Sequence, residues 1–169
     1  MYDSIKHLED TFTEENLSQA LLYAQKIELI ELEKAINEIF TTLSHPLAVL
    51  DIGVGNARIL KAIAQKLDLW PKIKSYEGID IAQNCVDITE QAIKDLFLEE
   101  KAIVELLDAQ KIFTLQKYYD LIISTWFTVG NFYPDDFKFE DYQPGSYVLS
   151  QNEKFSTIFR HAYNMLHPM

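Results

Sequence analysis

The spacing of hydrophobic residues changes near residue 46. From Thr13 to Leu43 the chain has no Gly or Pro, and apolar residues recur at helical spacing along one wide stripe. This pattern predicts a long helix over 13–43 with Thr13 or Thr11 as its N-cap, ended by Pro46. We therefore expect an N-terminal helical segment over 1–45 and a separate domain over 46–169.

After residue 46, short apolar runs alternate with helical patterns. Strands are predicted at 47–52, 75–81, 102–107 and 119–124, and helices at 56–69, 84–99 and 151–166. Strands separated by helical stretches are typical of parallel βαβ units with right-handed crossovers. The pattern predicts an α/β fold, a three-layer αβα sandwich with a mainly parallel sheet.

The first strand runs directly into a glycine-rich turn, Asp51-Ile52-Gly53-Val54-Gly55-Asn56-Ala57-Arg58. Glycine lets a ligand approach the backbone closely, and the helix that follows offers unpaired N–H groups to an anion. Dinucleotide-binding turns usually have an apolar residue where Asp51 stands. The turn therefore indicates a nucleotide-like ligand, and the carboxylate of Asp51 argues against an ordinary dinucleotide site.

Acidic residues also end the second and third predicted strands, at Asp80 and Asp108. In an open parallel sheet, ligands bind beyond the carboxyl ends of the strands, so both acids should lie on the same edge as Asp51. Each could instead be a helix N-cap. Asp120 is interpreted as a strand-edge or turn residue.

The turn and the two acids resemble motifs I, II and III of the class I S-adenosylmethionine-dependent methyltransferases. Residues 119–124 resemble motif IV, and residues 162–168 resemble the helix end that precedes the fifth strand. Ala57 stands where this family usually has glycine. The resemblance implies a Rossmann-like fold, usually of seven strands, with S-adenosyl-L-methionine as cofactor and S-adenosyl-L-homocysteine as product.

The resemblance also implies which residues touch the cofactor. The second acid would bind the ribose hydroxyls and the third would lie near the adenine, while the glycine turn and the N–H groups near Asn56 would hold the amino-acid part. Arg58 could assist there, or could simply be exposed on its helix. The expected cofactor-binding residues are Asp51, Gly53, Gly55, Asn56, Arg58, Asp80, Ile81, Asp108, Ala109 and Ser124.

The reaction implied by the resemblance is in-line displacement at a sulfonium methyl group. Because this methyl group is already activated, the protein mainly aligns the acceptor and excludes water, so a general base is optional and no catalytic residue is assigned. Residues 124–127 lack the prolyl turn of nucleic-acid amino-methyltransferases. We expect a small-molecule or peptide acceptor in a pocket formed by Thr125, Trp126, Phe127, Asn131 and Tyr133, although the aromatic segment could instead pack over the sheet.

Two other functions are compatible with these motifs. One is an aminopropyltransferase that uses the decarboxylated cofactor on the same fold. The other is a regulatory module that binds S-adenosylmethionine without catalysis.

Composition narrows the remaining choices. The net charge of −11 argues against binding to nucleic acid. A single cysteine, Cys85, suits the reducing cytoplasm. The four histidines have no metal-ligand spacing, so no metal is expected, and no apolar run is long enough for a membrane span.

Since the chain ends where a fifth strand should begin, we expect a partial sequence with an exposed edge on the fourth strand, through which it could dimerise.

Overall fold

The computed structural model describes residues 17–125 and 149–168. The elements follow in the order α1 (Gln19–Leu43), β1 (Leu47–Ile52), α2 (Arg58–Ala64), β2 (Ile73–Asp80), α3 (Gln83–Asp95), β3 (Ala102–Leu106), β4 (Leu121–Ile123) and α4 (Leu149–Asn164). Two short 3-10 helices, Trp70–Lys72 and Ala109–Leu115, lie before β2 and after β3.

The four strands form one sheet in the order β3-β2-β1-β4, and all neighbouring pairs are parallel. Asp51 at the end of β1 lies opposite Gly78 of β2 and Ile123 of β4. This confirms the predicted α/β fold with a parallel sheet. It also confirms that the ends of β1 and β2 meet at one edge.

Both faces of the sheet are covered. Residues of one face, such as Val49 and Tyr76, pack in a cluster with α1, α2 and α3, and residues of the other face, such as Leu50 and Ile79, pack against the second 3-10 helix and α4. Successive residues of a strand point to opposite faces, so a strand buried on both sides has no polar alternation. This explains the continuous apolar run of β4.

The helix boundaries differ most from the prediction at the start of α1 and in the length of α2. Helix α1 begins at Gln19, where the Ser18 hydroxyl accepts a hydrogen bond from the Leu21 N–H at 3.3 Å. The predicted caps Thr13 and Thr11 lie outside the described residues. The prediction of one continuous helix over 13–43 is wrong, because Ser18 has an extended backbone. Apolar spacing does not reveal which hydroxyl caps a helix. Helix α2 has seven residues instead of the predicted fourteen-residue span over 56–69.

The amino end of β4 is bonded on both sides. The Asp120 carboxylate accepts from the Ala48 N–H of β1 at 2.7 Å, which confirms its interpretation as a strand-edge residue. On the other side, Tyr119 forms a parallel bridge with Leu166, just after α4 ends. The chain after α4 therefore pairs with the residue that leads into β4, and the outer edge is paired at Tyr119.

None of the helices within residues 17–125 and 149–168 combines the length and the apolar character that crossing a membrane would require.

Candidate functional site

The glycine turn after β1 is fixed by hydrogen bonds to β2. The N–H groups of Gly53 and Val54 both donate to the carbonyl of Ile79, at 2.8 and 3.1 Å. Gly53 and Gly55 have φ angles of 83° and 55°, a left-handed conformation that favours glycine. A Cβ atom on Gly55 would have no heavy atom within 4 Å, so the turn borders open space on that side.

Ala57, the residue before α2, has the conformation expected of a glycine. Its φ is 62°, and it is buried with a side chain that cannot cap the helix. A left-handed alanine costs roughly 1–2 kcal/mol relative to the right-handed form. Its N–H donates to Val54 at 3.0 Å and its carbonyl accepts from Lys61 at 3.0 Å, and these bonds hold the strained conformation.

Gly78 allows the turn to pack directly on β2. A Cβ atom at this position would lie 2.5 Å from Cγ1 of Val54. Carbon atoms pack best at about 3.5–4.0 Å, so any larger residue would push the turn away from the sheet. The sequence motif includes Gly78, but its role appears only when β1 and β2 are placed side by side.

Asp80 joins the two loops that follow β1 and β2. Its Oδ2 accepts from the Gly55 N–H at 3.0 Å and its Oδ1 accepts from the Ala82 N–H at 2.9 Å. The N-cap of α3 is Ala82, so the alternative that Asp80 caps this helix is wrong. A carboxylate oxygen can accept two hydrogen bonds, which leaves Asp80 able to bind a ligand hydroxyl as well.

Cys85 lies beside Asp80. Burial, followed by the neighbouring Asp80 carboxylate, raises the pKa of the Cys85 thiol to about 12. The thiol therefore stays protonated at neutral pH and is a poor nucleophile.

Asp51 is the most unusual residue of the site. Its side chain is 1% exposed, its Oδ2 accepts a hydrogen bond from the Tyr76 hydroxyl, and its Oδ1 is buried with no hydrogen-bond partner among the described residues. Burial raises the pKa of the carboxyl to about 6, although the Tyr76 hydrogen bond and Arg58 partly counteract this effect. A buried oxygen without a donor is uncommon in a folded protein and marks a position where a ligand donor would be favourable.

Arg58 is held by the N-terminal helix. Its Nη2 forms an ion pair with Oε2 of Glu28 on α1, and the two side chains are only 21% and 24% exposed. The alternative that Arg58 is simply exposed is therefore wrong. Two further contacts, Lys66 with Glu33 and Lys72 with the side chain of Asn37, tie α1 to the segment after α2.

Asp108 follows β3, beside the end of β2. Its Oδ1 accepts from the Gln110 N–H at 2.9 Å, so it caps the 3-10 helix, as the N-cap alternative proposed. The Leu107 N–H donates to the Asp80 carbonyl at 2.9 Å, which keeps the two strand ends together. The second and third acids thus lie at adjacent strand ends, as predicted.

The remaining expected site residues that the structure describes are exposed or half-buried. Ile81 is 71% exposed after β2, and Ser124 is exposed after β4. Three further positions are half-buried: Asn56, Ala109 and Thr125. The backbone carbonyl of Asn56 accepts from Lys61 Nζ at 3.2 Å. The predicted pocket residues Trp126, Phe127, Asn131 and Tyr133 lie outside the described residues.

Sequence reasoning missed Tyr76 and Glu28 as members of this site. A usable signal existed for Tyr76, because period-two alternation places it on the same sheet face as Gly78 and Asp80. Since β1 and β2 are adjacent, that face also carries Asp51. No sequence signal pairs Glu28 with Arg58, which is 30 residues away.

Several solved structures that resemble this chain are S-adenosylmethionine-dependent methyltransferases. A magnesium protoporphyrin IX methyltransferase from Synechocystis, solved with bound SAM, matches with a TM-score of 0.62 at 12% identity, over 98% of this chain and 68% of that chain. A S-adenosylmethionine-dependent methyltransferase from Clostridium acetobutylicum matches with a TM-score of 0.59 at 15% identity, over 98% of this chain and 53% of that chain.

The bifunctional kinase-methyltransferase WbdD matches with a TM-score of 0.61 at 14% identity, over 85% of this chain and 27% of that chain. No protein-family model and no curated protein sequence matches this chain. At these identities the likeness shows the fold. The chain therefore has the Rossmann-like α/β fold found in S-adenosylmethionine-dependent methyltransferases.

Proposed function

We propose that the protein transfers a methyl group from S-adenosylmethionine to a small-molecule or protein side-chain acceptor by in-line displacement. The observation that carries this proposal is one connected arrangement at the end of β1 and β2. The buried Asp51 carboxyl, the glycine turn and Asp80 meet there, and the Gly55 N–H donates directly to Asp80.

The residues at this edge fit the chemistry of the cofactor. S-adenosylmethionine carries a positive sulfonium and a positive ammonium group, which are stabilised by nearby carboxylates such as Asp51 and Asp80. The open space beside Gly55 leaves room for close backbone approach. Spare acceptor capacity on Asp80 suits a ribose, and the bound cofactor would supply an activated methyl group.

The acceptor side of the proposal rests on the end of β4. Ser124 and Thr125 follow β4, and β4 lies directly beside β1. An acceptor placed there would lie next to the turn that holds the cofactor. The net charge of −11 favours a small-molecule or peptide acceptor over nucleic acid, and we place the enzyme in the cytoplasm.

Calorimetry with S-adenosylmethionine, its decarboxylated form and NAD tests the proposal. We expect S-adenosylmethionine to bind most tightly. Asp80→Asn should weaken that binding by about tenfold or more, because a hydrogen bond to a charged group is lost. The matched control is Asp87→Asn, an exposed acid on α3 that should leave the affinity unchanged.

Other outcomes identify the rival functions. Tight binding of NAD alone would overturn the proposal. Preference for the decarboxylated cofactor would indicate an aminopropyltransferase. Binding of S-adenosylmethionine without methyl transfer to any component of a metabolite or peptide extract would indicate a regulatory module.

A further inference from the structure

Tyr76 and Asp51 form a buried hydrogen-bonded pair between β2 and β1. Tyr76 lies in the middle of β2 and is completely buried, and its hydroxyl donates to one oxygen of Asp51. The other oxygen, Oδ1, is also buried and has no hydrogen-bond partner among the described residues. The tyrosine therefore fixes the carboxyl group with one oxygen hydrogen-bonded and the other buried without a partner among the described residues.

We propose that Tyr76 is a positioning residue that holds Asp51 with Oδ1 directed to a cationic group of the bound cofactor, so that cofactor binding releases a proton from Asp51. This inference rests on the proposed function. It adds that the affinity for S-adenosylmethionine depends on pH through one carboxyl group, and that Tyr76 sets the pH at which this affinity changes.

Burial, with a smaller contribution from neighbouring charges, explains why Asp51 keeps a proton up to about pH 6 in the absence of ligand. Asp80 on β2 and Glu28 on α1 oppose its ionisation, whereas Arg58 on α2 favours it. Arg58 is itself paired with Glu28, which reduces its help to Asp51. Together with burial, these groups place the pKa of Asp51 near 6, so ionised and protonated forms coexist close to neutral pH.

A cation bound beside Asp51 changes this balance. An opposite charge within a few ångströms favours the carboxylate, so the pKa of Asp51 falls when the cofactor binds. The proton leaves the carboxyl oxygen and passes to the buffer, while the cofactor remains unchanged. By linkage, the affinity for the cofactor should fall by up to about tenfold for each pH unit below about 6.

Calorimetry of the wild-type chain in two buffers of different ionisation enthalpy measures the proton directly. At a pH of about 6, we expect about half a proton to be released for each S-adenosylmethionine bound. S-adenosylhomocysteine, which keeps the ammonium group but has no sulfonium, is the matched ligand. Proton release with both ligands assigns the effect to the ammonium group, and release with S-adenosylmethionine alone assigns it to the sulfonium.

Two substitutions separate the roles of the pair. Asp51→Asn should abolish proton release and flatten the pH profile of binding. Tyr76→Phe should move the midpoint of that profile to higher pH, because the hydrogen bond that favours the carboxylate is lost. The control is Tyr119→Phe, which removes another buried hydroxyl-to-carboxylate bond, to Glu77 on the opposite face, at 2.8 Å. It should lower stability and leave the midpoint unchanged.

The outcomes distinguish this inference from the proposed function. If S-adenosylmethionine does not bind at all, the proposed function fails. If it binds with an affinity and enthalpy independent of pH and buffer, the proposed function survives and the inference is overturned. Should Tyr76→Phe not fold, carbon NMR of the Asp51 carboxyl in the wild type decides: its titration midpoint must fall on addition of the cofactor, and an unchanged midpoint overturns the inference.

Discussion

Substitution of Gly78 by alanine tests how the glycine turn packs on the sheet. The added Cβ would lie 2.5 Å from Cγ1 of Val54, about 1 Å closer than the optimal separation of two carbon atoms. Val54 cannot easily move, because it is 5% exposed and its N–H is bonded to Ile79. As a β-branched residue, it also has restricted side-chain rotation.

The expected magnitude follows from this overlap. Forcing an extra carbon into a well-packed site costs about 1–3 kcal/mol, so we take about 2 kcal/mol for Gly78→Ala. Gly78 does not have a left-handed backbone, so the alanine suffers no strain of that kind. Val54→Ala alone should cost a similar amount, about 2 kcal/mol, from lost burial of two methyl carbons and the space they leave.

The double substitution is the decisive measurement. If the two side chains compete for the same space, Gly78→Ala with Val54→Ala should be no less stable than Val54→Ala alone. This corresponds to a coupling of about 2 kcal/mol, measured by urea unfolding of the four proteins. A control cycle with Val104→Ala, whose Cγ2 would be 3.7 Å from the new Cβ, should be additive within about 0.5 kcal/mol. Additive effects in the Val54 cycle would refute the reasoning.

Three further substitutions test the polar contacts of the molecule. Protonation of Asp51, whose pKa is raised from 3.8 to about 6, stabilises the folded state fully below about pH 4, and this contribution is lost as the pH rises through 6. The free energy of unfolding of Asp51→Asn, measured relative to wild type in urea, should therefore rise by about 1 kcal/mol between about pH 5 and pH 8. A difference that stays constant with pH would contradict this. Tyr119→Phe should lose about 1–3 kcal/mol, because among the described residues buried Glu77 then keeps only its bonds to Lys117; an unchanged melting temperature would show that the bond contributes nothing. Glu28→Gln should lower stability by about 1 kcal/mol or less, since its ion pair with Arg58 is partly exposed to solvent, and a larger loss in thermal melts would show that this pair holds α1 in place.

The sequence predicted the strands of this fold better than the helix ends. Strand β1 was predicted at 47–52 and is found at Leu47–Ile52, because a buried apolar run between Pro46 and a glycine turn allows little choice. Helix α2 was predicted over 56–69 and covers only Arg58–Ala64. After Ala64 the backbone forms turns whose hydrogen bonds span three residues, such as the bond from the Lys66 N–H to the Ile63 carbonyl at 3.2 Å. Apolar spacing does not distinguish such turns from a continuing helix.

The candidate site divides in the same way. Asp51 and Asp80 could be found because strand ends in a parallel sheet meet at one edge. Alternation could place Tyr76 on the same sheet face as Gly78 and Asp80. Its bond to Asp51 and the Gly78–Val54 contact could not be predicted, since both depend on the register that places Asp51 opposite Gly78. The bond between Glu28 and Arg58 depends on how α1 lies across the domain, which no local pattern encodes.

The turn after β1 combines two features that local rules disfavour. Ala57 is left-handed although it is not glycine, and Asp51 is a buried acid with an unsatisfied oxygen. The left-handed alanine and the ionised form of Asp51 both cost stability, and the two residues lie within seven residues of one another. Residues in such unfavourable states persist where the surrounding structure holds them in place, and they are concentrated at functional sites. Here the bonds from Gly53 and Val54 to Ile79 supply that constraint. Binding of a cationic ligand would relieve the cost of the buried carboxylate, which is the physical reason for our proposal that the cofactor binds at this turn.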